Sequence, residues 1–484
     1  AAPPVVSACT TLGGSPSCGR AATTMHSYPL RVPPRRLQLQ QKAGPMPDRP
    51  SAQRPPSQPG ESRGKPAGVA AMLSGDNPTP PPADIIVEAA SVLHAHGHTT
   101  SATMRAVARL NEILGTRYKV DITWTLVVLF TPEGETVRTH AAMPSTVHMG
   151  RVAPLVSTIF ADKPPTAEQL WSAVTSARTV PLRPTWLFAL AAGLGAVCLA
   201  LIFGSQRPGA LALIFVAAAV GAVTRRLLAG HTTFVTQTLA AALIAGIAGS
   251  LSVYLDLTSA ARLVAVCPAM VLVPGPALVN ACLDFADRRH RLGMARLCDA
   301  SVTILMICLG LLVGLFLGGT TLPVTAPGVS VPWWLDVAAA GLVACCFPVF
   351  FSMPHRSIGW AALAGAIGHG ARWLCIAGLG WSIPAAALVD CLLVAAILAP
   401  VCFHKHLPFA GVGFAAVVAL VPGVFLFRAF SGIFQIAAGD TSLVTLGATA
   451  QDAASALLII LAMAIGIALP HEFWLRRMHR DRKI

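Results

Sequence analysis

Asp390 stands in the middle of the apolar run AALVDCLLV, preceded in the chain by His369 and Arg372. An ionisable side chain inside such a run is costly unless it pairs or moves a proton, which makes it a functional candidate by default. Asp390 can carry a coupling proton with His369 and Arg372 as its partners; the alternative is a structural pair between Asp390 and Arg372. A second set follows two proline-glycine pairs. LVPGPAL begins at Leu272 and LVPGVFL at Leu420, both inside runs that otherwise suit helices in lipid. Pro274 and Pro422 each remove a backbone donor and free an upstream carbonyl, and Gly275 and Gly423 let backbone or ligand come close. Backbone freed at that depth is tolerated only against protein or a watery cavity. Asn280 and Arg428 each lie six residues beyond the proline of their stretch, and Asp284 follows Asn280. Arg428 can instead snorkel to an interface, and Asp284 can simply end a helix at a basic loop.

These residues need membrane helices to position them. The chain has 484 residues, 54% hydrophobic and only 12% charged, with mean hydropathy +0.65. Soluble proteins carry roughly twice that charge fraction. From residue 185 onward the chain is a string of apolar blocks of about 18–22 residues, long enough to cross a bilayer. The fold class is a polytopic α-helical membrane protein. About ten spans are expected, near 185–204, 208–224, 232–254, 258–281, 299–318, 333–351, 358–379, 382–400, 409–428 and 450–469.

Ahead of them, residues 83–180 read as a small α+β cytoplasmic domain. ADIIVEAASVLHAHG and TSATMRAVARLNEILG have helical spacing and end on glycines. DITWTLVVLFTPEGETVRTHAAM alternates around a PEGE turn as a hairpin does, and Thr166 with Gln169 forms a capping-box pattern. Residues 1–82 have the Pro, Ser and Gln content of a disordered tail, within which Met72 is a candidate start. Residues 470–484 form a basic tail.

The flanking charges orient the spans. With the N-terminus in the cytoplasm, the inner flanks carry Arg178, Arg183, Arg225, Arg226, Arg288, Arg289, Arg291, Arg296, Arg356, Lys405 and the C-terminal basic residues. The outer flanks hold Arg207, Arg262 and Arg428. That asymmetry supports ten spans with both termini cytoplasmic. Arg225 and Arg226 are mostly accounted for by topology.

A second matched pair keeps nearly the offset of the Pro-Gly stretches: GAVTRRL at Gly221–Leu227 and GHGARWL at Gly368–Leu374. The expectation is a five-helix unit used twice, 185–318 and 333–469. Five is odd, so the second copy enters the bilayer inverted, as in secondary transporters.

Composition excludes other classes. The net charge of +14 is scattered beside apolar blocks rather than gathered into a nucleic-acid face, and no nucleic-acid partner is expected. The 12 cysteines form no CxxC pair, and ten of them sit in or against apolar blocks as small packing residues. There is no Walker A loop, H-E-x-x-H or G-x-S-x-G. No enzyme, cofactor or metal is expected. His94, His96 and His98 in HAHGH read as surface histidines in preference to a metal site.

The run LVPGPALVNACLDFADRRHRLGMARLCDAS resembles the hallmark of the threonine/serine exporter family. TAEQLWSAVTSA and the tandem helices are similar to that family's N-terminal region, and ALVPGVFLFRAFSGIFQIAAGD resembles its second half. The resemblance covers residues 83–475. It implies export of threonine and serine across the inner membrane, driven by the proton gradient. HAHGH departs from it, since relatives have fewer histidines there. For an amino acid, Arg428 can meet the carboxylate, Asn280 can hydrogen-bond the substrate and Asp284 can face the ammonium. The expected partners are therefore a small-molecule substrate, membrane lipid and, as an option, a second copy of the chain. The competing readings are a dicarboxylate exporter, as in relatives that split the two halves, a membrane-anchored sensor or enzyme, and a passive channel.

Overall fold

The computed structural model describes residues 79–144, 147–257, 261–320 and 331–481. Most of the expected tail, Met72, Arg482 and Lys483 lie outside the described residues.

The first elements form the α+β module. Helix α1 (Pro82–Ala95) opens with proline in its first turn and buries Ile85, Ile86, Ala89, Ala90 and Leu93. Helix α2 (Thr100–Leu114) is capped by the Thr99 side chain, which accepts from Ala102 N–H, and closes on Gly115 at φ 66°. Strands β1 (Lys119–Ile122), β2 (Leu126–Phe130) and β3 (Thr136–Ala141) form an antiparallel sheet in that order. The expected hairpin is β2–β3, turning at Gly134 with φ 101°. Its first limb is cut at Thr123, whose side chain accepts from Leu126 N–H, so one expected strand becomes two. Val127 and Leu129 point from the central strand into the core. Helix α3 (Met149–Ile159) is a finding absent from the sequence reading, because Pro154 inside it masks the helical pattern. Helix α4 (Ala167–Thr179) carries the Thr166–Gln169 capping box with both hydrogen bonds made.

The remaining helices are α5 (Thr185–Ile202), α6 (Pro208–Leu228), α7 (Phe234–Tyr254), α8 (Ala261–Met270), α9 (Gly275–Ala286) and α10 (His290–Leu317). After them come α11 (Trp333–Phe350), α12 (His355–Trp373), α13 (Ile383–His404), α14 (Phe409–Val417), α15 (Gly423–Ala437) and α16 (Leu443–Asp481). Among the described residues seven helices are long and apolar enough to cross a membrane, or nine if the bent pairs α8–α9 and α14–α15 each count as one. Expected span 358–379 is α12 and a short π turn, Leu374–Gly378; its glycines, histidines and arginines keep it out of that count. Trp333, Trp334 and Trp381 are exposed at one end of the helices and Trp186 at the other. Such rings favour the two membrane interfaces. The chain is a multi-pass membrane protein.

The packing follows one pattern twice. Helix α8 contacts α5, α6 and α7, while α14 contacts α11, α12 and α13. Helix α9 packs on α10 and α15 on α16; α5 and α11 join the two sets. The connections after α9, α11 and α13 lie against the α+β module, which defines a module side; the opposite ends form a far side.

Both Pro-Gly pairs break their helices in the same way. Gly275 N–H donates to Val273 C=O at 2.8 Å around Pro274 (φ −79°, ψ 61°), and Gly423 N–H donates to Val421 C=O at 2.7 Å around Pro422 (φ −77°, ψ 43°). A three-residue turn centred on proline is an inverse γ-turn. The bends are 60° and 62°. Each glycine then seats the other span: a Cβ on Gly275 would overlap the Phe414 ring of α14, and one on Gly423 would meet Met270 at the end of α8. Alanine at Pro274 and Gly275 would therefore not simply restore a regular helix, since the space beside Gly275 is already filled by Phe414.

Gly275→Ala should therefore lower the thermal stability of the detergent-purified protein by the cost of overpacking, about 1–3 kcal/mol. Adding Phe414→Leu should recover part of that loss. An unchanged melting temperature in Gly275→Ala would contradict the reciprocal seating.

Candidate functional site

Three buried charge clusters surround the crossed breaks. The first joins α9 and α10 on the module side. Asp284 Oδ2 lies 2.9 Å from Arg296 Nε, and both side chains are nearly inaccessible. The α+β module closes over this pair. Asn280 Nδ2 donates to Gly97 C=O at 3.1 Å, and Arg296 Nη2 approaches Thr100 Oγ1 at 3.3 Å and His94 Nδ1 at 3.4 Å. Arg289 donates to Ser101 and Asp287, which are themselves in contact.

HAHGH is thus part of a docking surface. His94 and His98 are buried, which corrects the surface reading, and the three rings face different partners. His94 faces Arg296 and Trp124 C=O, while His96 meets Arg151 and the His148 ring. Among the described residues no group of three or more His, Cys, Asp or Glu could hold a metal ion. Because Arg296 is donor only, His94 Nδ1 must accept, and its proton sits on Nε2 toward Trp124 C=O.

The second cluster lies between α11, α12 and α13. His369 Nδ1 is 2.9 Å from Asp336 Oδ2, and Arg372 Nη1 is 3.8 Å from the same oxygen. Asp390 is buried beside Gly368, and among the described residues neither carboxyl oxygen has a hydrogen-bond partner. Arg372 acts on it only through space. This corrects the expected pairing: His369 and Arg372 gather on Asp336, leaving Asp390 as the carboxyl without a hydrogen bond. Asp336 was missed because it sits at the start of the expected span 333–351, where its partners on α12 leave no mark in the sequence.

The third cluster joins α15 and α16 toward the far side. Arg428 Nε is 2.8 Å from Asp452 Oδ2. Arg428 is thus held within the protein rather than extended to an interface. Asn280 and Arg428, matched in sequence, are not brought together; each binds a different neighbour.

GAVTRRL and GHGARWL share the pattern G-x-x-x-R-x-L, and the arginine of each also reaches its own break. Arg225 lines a cavity of about 10 Å³ with Pro268, Val271 and Leu272. Arg372 lines one of about 20 Å³ with Leu420, Val421 and Pro422. Neither space holds more than about one water, so neither admits an amino acid without rearrangement. Arg225 exceeds its topological reading: its Nε is buried without a hydrogen bond, and its guanidinium lies 5.3 Å from the Phe234 ring centre.

The module's docking should depend on pH. Burial, helped by the Arg296 charge, pushes His94 down from 6.5 to about 4, and burial with Arg105 pushes His98 from 6.5 to about 3. When the module is released the His94 ring, freed of Arg296, returns toward 6.5, so the released form binds more protons below that pH. Docking should be fully stable above about 6.5, weaken as pH falls, and stop weakening below about 4. Hydrogen exchange across residues 94–104 at pH 7.5 and 5 should show the loss, and His94→Gln should reduce it. Equal protection at both pH values would contradict the assignment.

The sequence comparisons agree with this architecture in two pieces. Residues 84–318 match the ThrE family model of threonine/serine exporters, and residues 336–473 match a second, described as "Threonine/Serine exporter, ThrE". The two matches divide the chain between α10 and α11, where the repeated packing pattern divides it. No solved structure matches the chain. Spanning both halves of the membrane region and the module ahead of it, these matches establish that the chain belongs to the threonine/serine exporter family.

Proposed function

We propose that this protein is a secondary active exporter that moves threonine and serine out of the cytoplasm by alternating access around the two crossed Pro-Gly breaks. The observation that carries this reading is the reciprocal seating of Gly275 on Phe414 and Gly423 on Met270, with Arg225 and Arg372 at the respective breaks. Inverted five-helix repeats with matching interruptions place substrate near the interruptions. In this reading the module side is cytoplasmic, both termini are inside, and the protein resides in the cell inner membrane. α12 supplies the tenth span.

Asp284–Arg296 and Arg428–Asp452 act as two latches. Each ties the second half of a broken span to the helix that follows, and the polarity is opposite: the acid lies on α9 in one and on α16 in the other. Opening one at a time would expose substrate to one side at a time. An amino acid bears both charges, so a route that presents guanidinium and carboxylate groups together suits it. A dicarboxylate would meet Asp284, Asp336, Asp390 and Asp452 unfavourably, which is why the amino-acid reading is preferred.

Asp390 carries the coupling proton, with Asp336, His369 and Arg372 as the neighbouring charge reservoir. A buried carboxyl without a hydrogen bond can be neutral in one state and ionised in another when water or Arg372 approaches. Vesicles containing the purified protein and loaded with labelled threonine should release it, and dissipating the proton gradient should abolish uphill movement. Asp390→Asn should lose uphill export yet retain threonine exchange. Full uphill export by correctly inserted Asp390→Asn would remove Asp390 from the coupling, and absence of threonine release from wild type would overturn the exporter reading.

A further inference from the structure

We propose that Arg262, Arg428 and Asp452 form a second recognition site for the amino-acid zwitterion, on the far side of the second break, where substrate is held before it leaves. The proposal rests on the exporter reading and adds a site with two residues, Arg262 and Asp452, outside the set tied to the breaks themselves.

Arg262 comes from the first turn of α8, whereas Arg428 and Asp452 come from α15 and α16, so the cluster spans the two halves of the membrane region. Arg428 and Asp452 form the 2.8 Å ion pair already described, and α8, which carries Arg262, packs against α15, which carries Arg428, so that the Arg262 charge acts on both. Two positive charges thus act on one carboxylate. Arg262 Nε and Nη1 are closed off from solvent and have no hydrogen-bond acceptor among the described residues. A buried charged donor without an acceptor is costly, so the cluster lacks one anionic group. Two ionisable Arg donors shielded from water are also a strong setting for a carboxylate.

The cluster has the charges a zwitterion requires. A substrate carboxylate would accept from Arg262, and its ammonium would turn to Asp452 as Arg428 is drawn away. That exchange loosens the α15–α16 latch, so occupancy of this site and opening toward the far side are the same event. A lipid phosphate also offers oxygen acceptors to Arg262. It has no use for Asp452, whose charge would repel it, and the shielding of Arg262 Nε and Nη1 favours a small solute.

The test uses vesicles of oriented full-length protein loaded with labelled threonine, with unlabelled threonine added on the far face to drive exchange. Arg262→Gln should raise the half-maximal external threonine concentration about tenfold or more, as loss of a charge-assisted contact implies. Net efflux should fall with it, because occupancy of the site is what opens the far side, and Arg262→Lys should recover part of both. In wild type, 3-hydroxybutyrate, which lacks the ammonium, should compete poorly on the far face; in Asp452→Asn it should approach threonine in potency. An unchanged half-maximal concentration in folded Arg262→Gln overturns the site while leaving the exporter reading intact. An Arg262→Gln effect that vanishes when anionic lipid is omitted assigns Arg262 to a lipid headgroup and also overturns the site. No threonine release by wild type removes the exporter reading and this site with it.

Discussion

Two breaks in helical hydrogen bonding, deep in the membrane region, set the terms for the rest of this protein. A proline there removes a donor and frees carbonyls that lipid cannot satisfy. Each break answers with an inverse γ-turn, which pairs one carbonyl locally, and with a partner that fills the angle left by the bend. Phe414 fills one and Met270 the other, so neither broken span is complete without its counterpart. The glycines that make this approach possible are fixed by contact, not by backbone conformation. Around the crossing, α8 and α14 each take three helices as a jacket, and the charged clusters occupy the positions that remain.

Those clusters divide by depth and side. Asp284–Arg296 is sealed by the α+β module, whose Gly97 carbonyl, Thr100 hydroxyl and His94 ring meet α9 and α10 directly. Arg428–Asp452 has no such cover among the contacts described here, and Arg262 stands beside it with donors to spare. The module is thereby placed to control access on one side only. Between the two, Asp336 collects His369 and Arg372, and Asp390 keeps a carboxyl that nothing in the present arrangement holds.

The legible parts of the sequence were those governed by local rules or by repetition. Long apolar blocks, the Thr166–Gln169 capping box and the glycine ends of α1 and α2 follow from nearest-neighbour chemistry. The Pro-Gly and G-x-x-x-R-x-L pairs were visible because each occurs twice, and their arginines do reach the breaks. Partner identity was not legible. Arg296 read as one more inner-flank charge, and Asp336 and Asp452 did not stand out within the expected spans 333–351 and 450–469, because pairing across helices leaves no trace in spacing along one of them. HAHGH read as surface for a related reason: its partners lie far along the chain, Trp124 and residues 147–151 within the module and Asn280 and Arg296 on α9 and α10. Helix α3 was hidden by Pro154, and α12 falls short in hydropathy because the residues that serve the site displaced apolar ones.

The central claim is that the two sides open in opposition about the crossed breaks. Distance distributions between paired spin labels test it most directly, one pair at Met104 and Met294 across the module side and one at Phe434 and Leu446 across the far side, each measured with and without threonine under an imposed proton gradient. The account predicts that the populations move oppositely, with the long-distance fraction of one pair rising as that of the other falls. Both pairs lengthening together, or neither changing in protein that exports threonine, would contradict it.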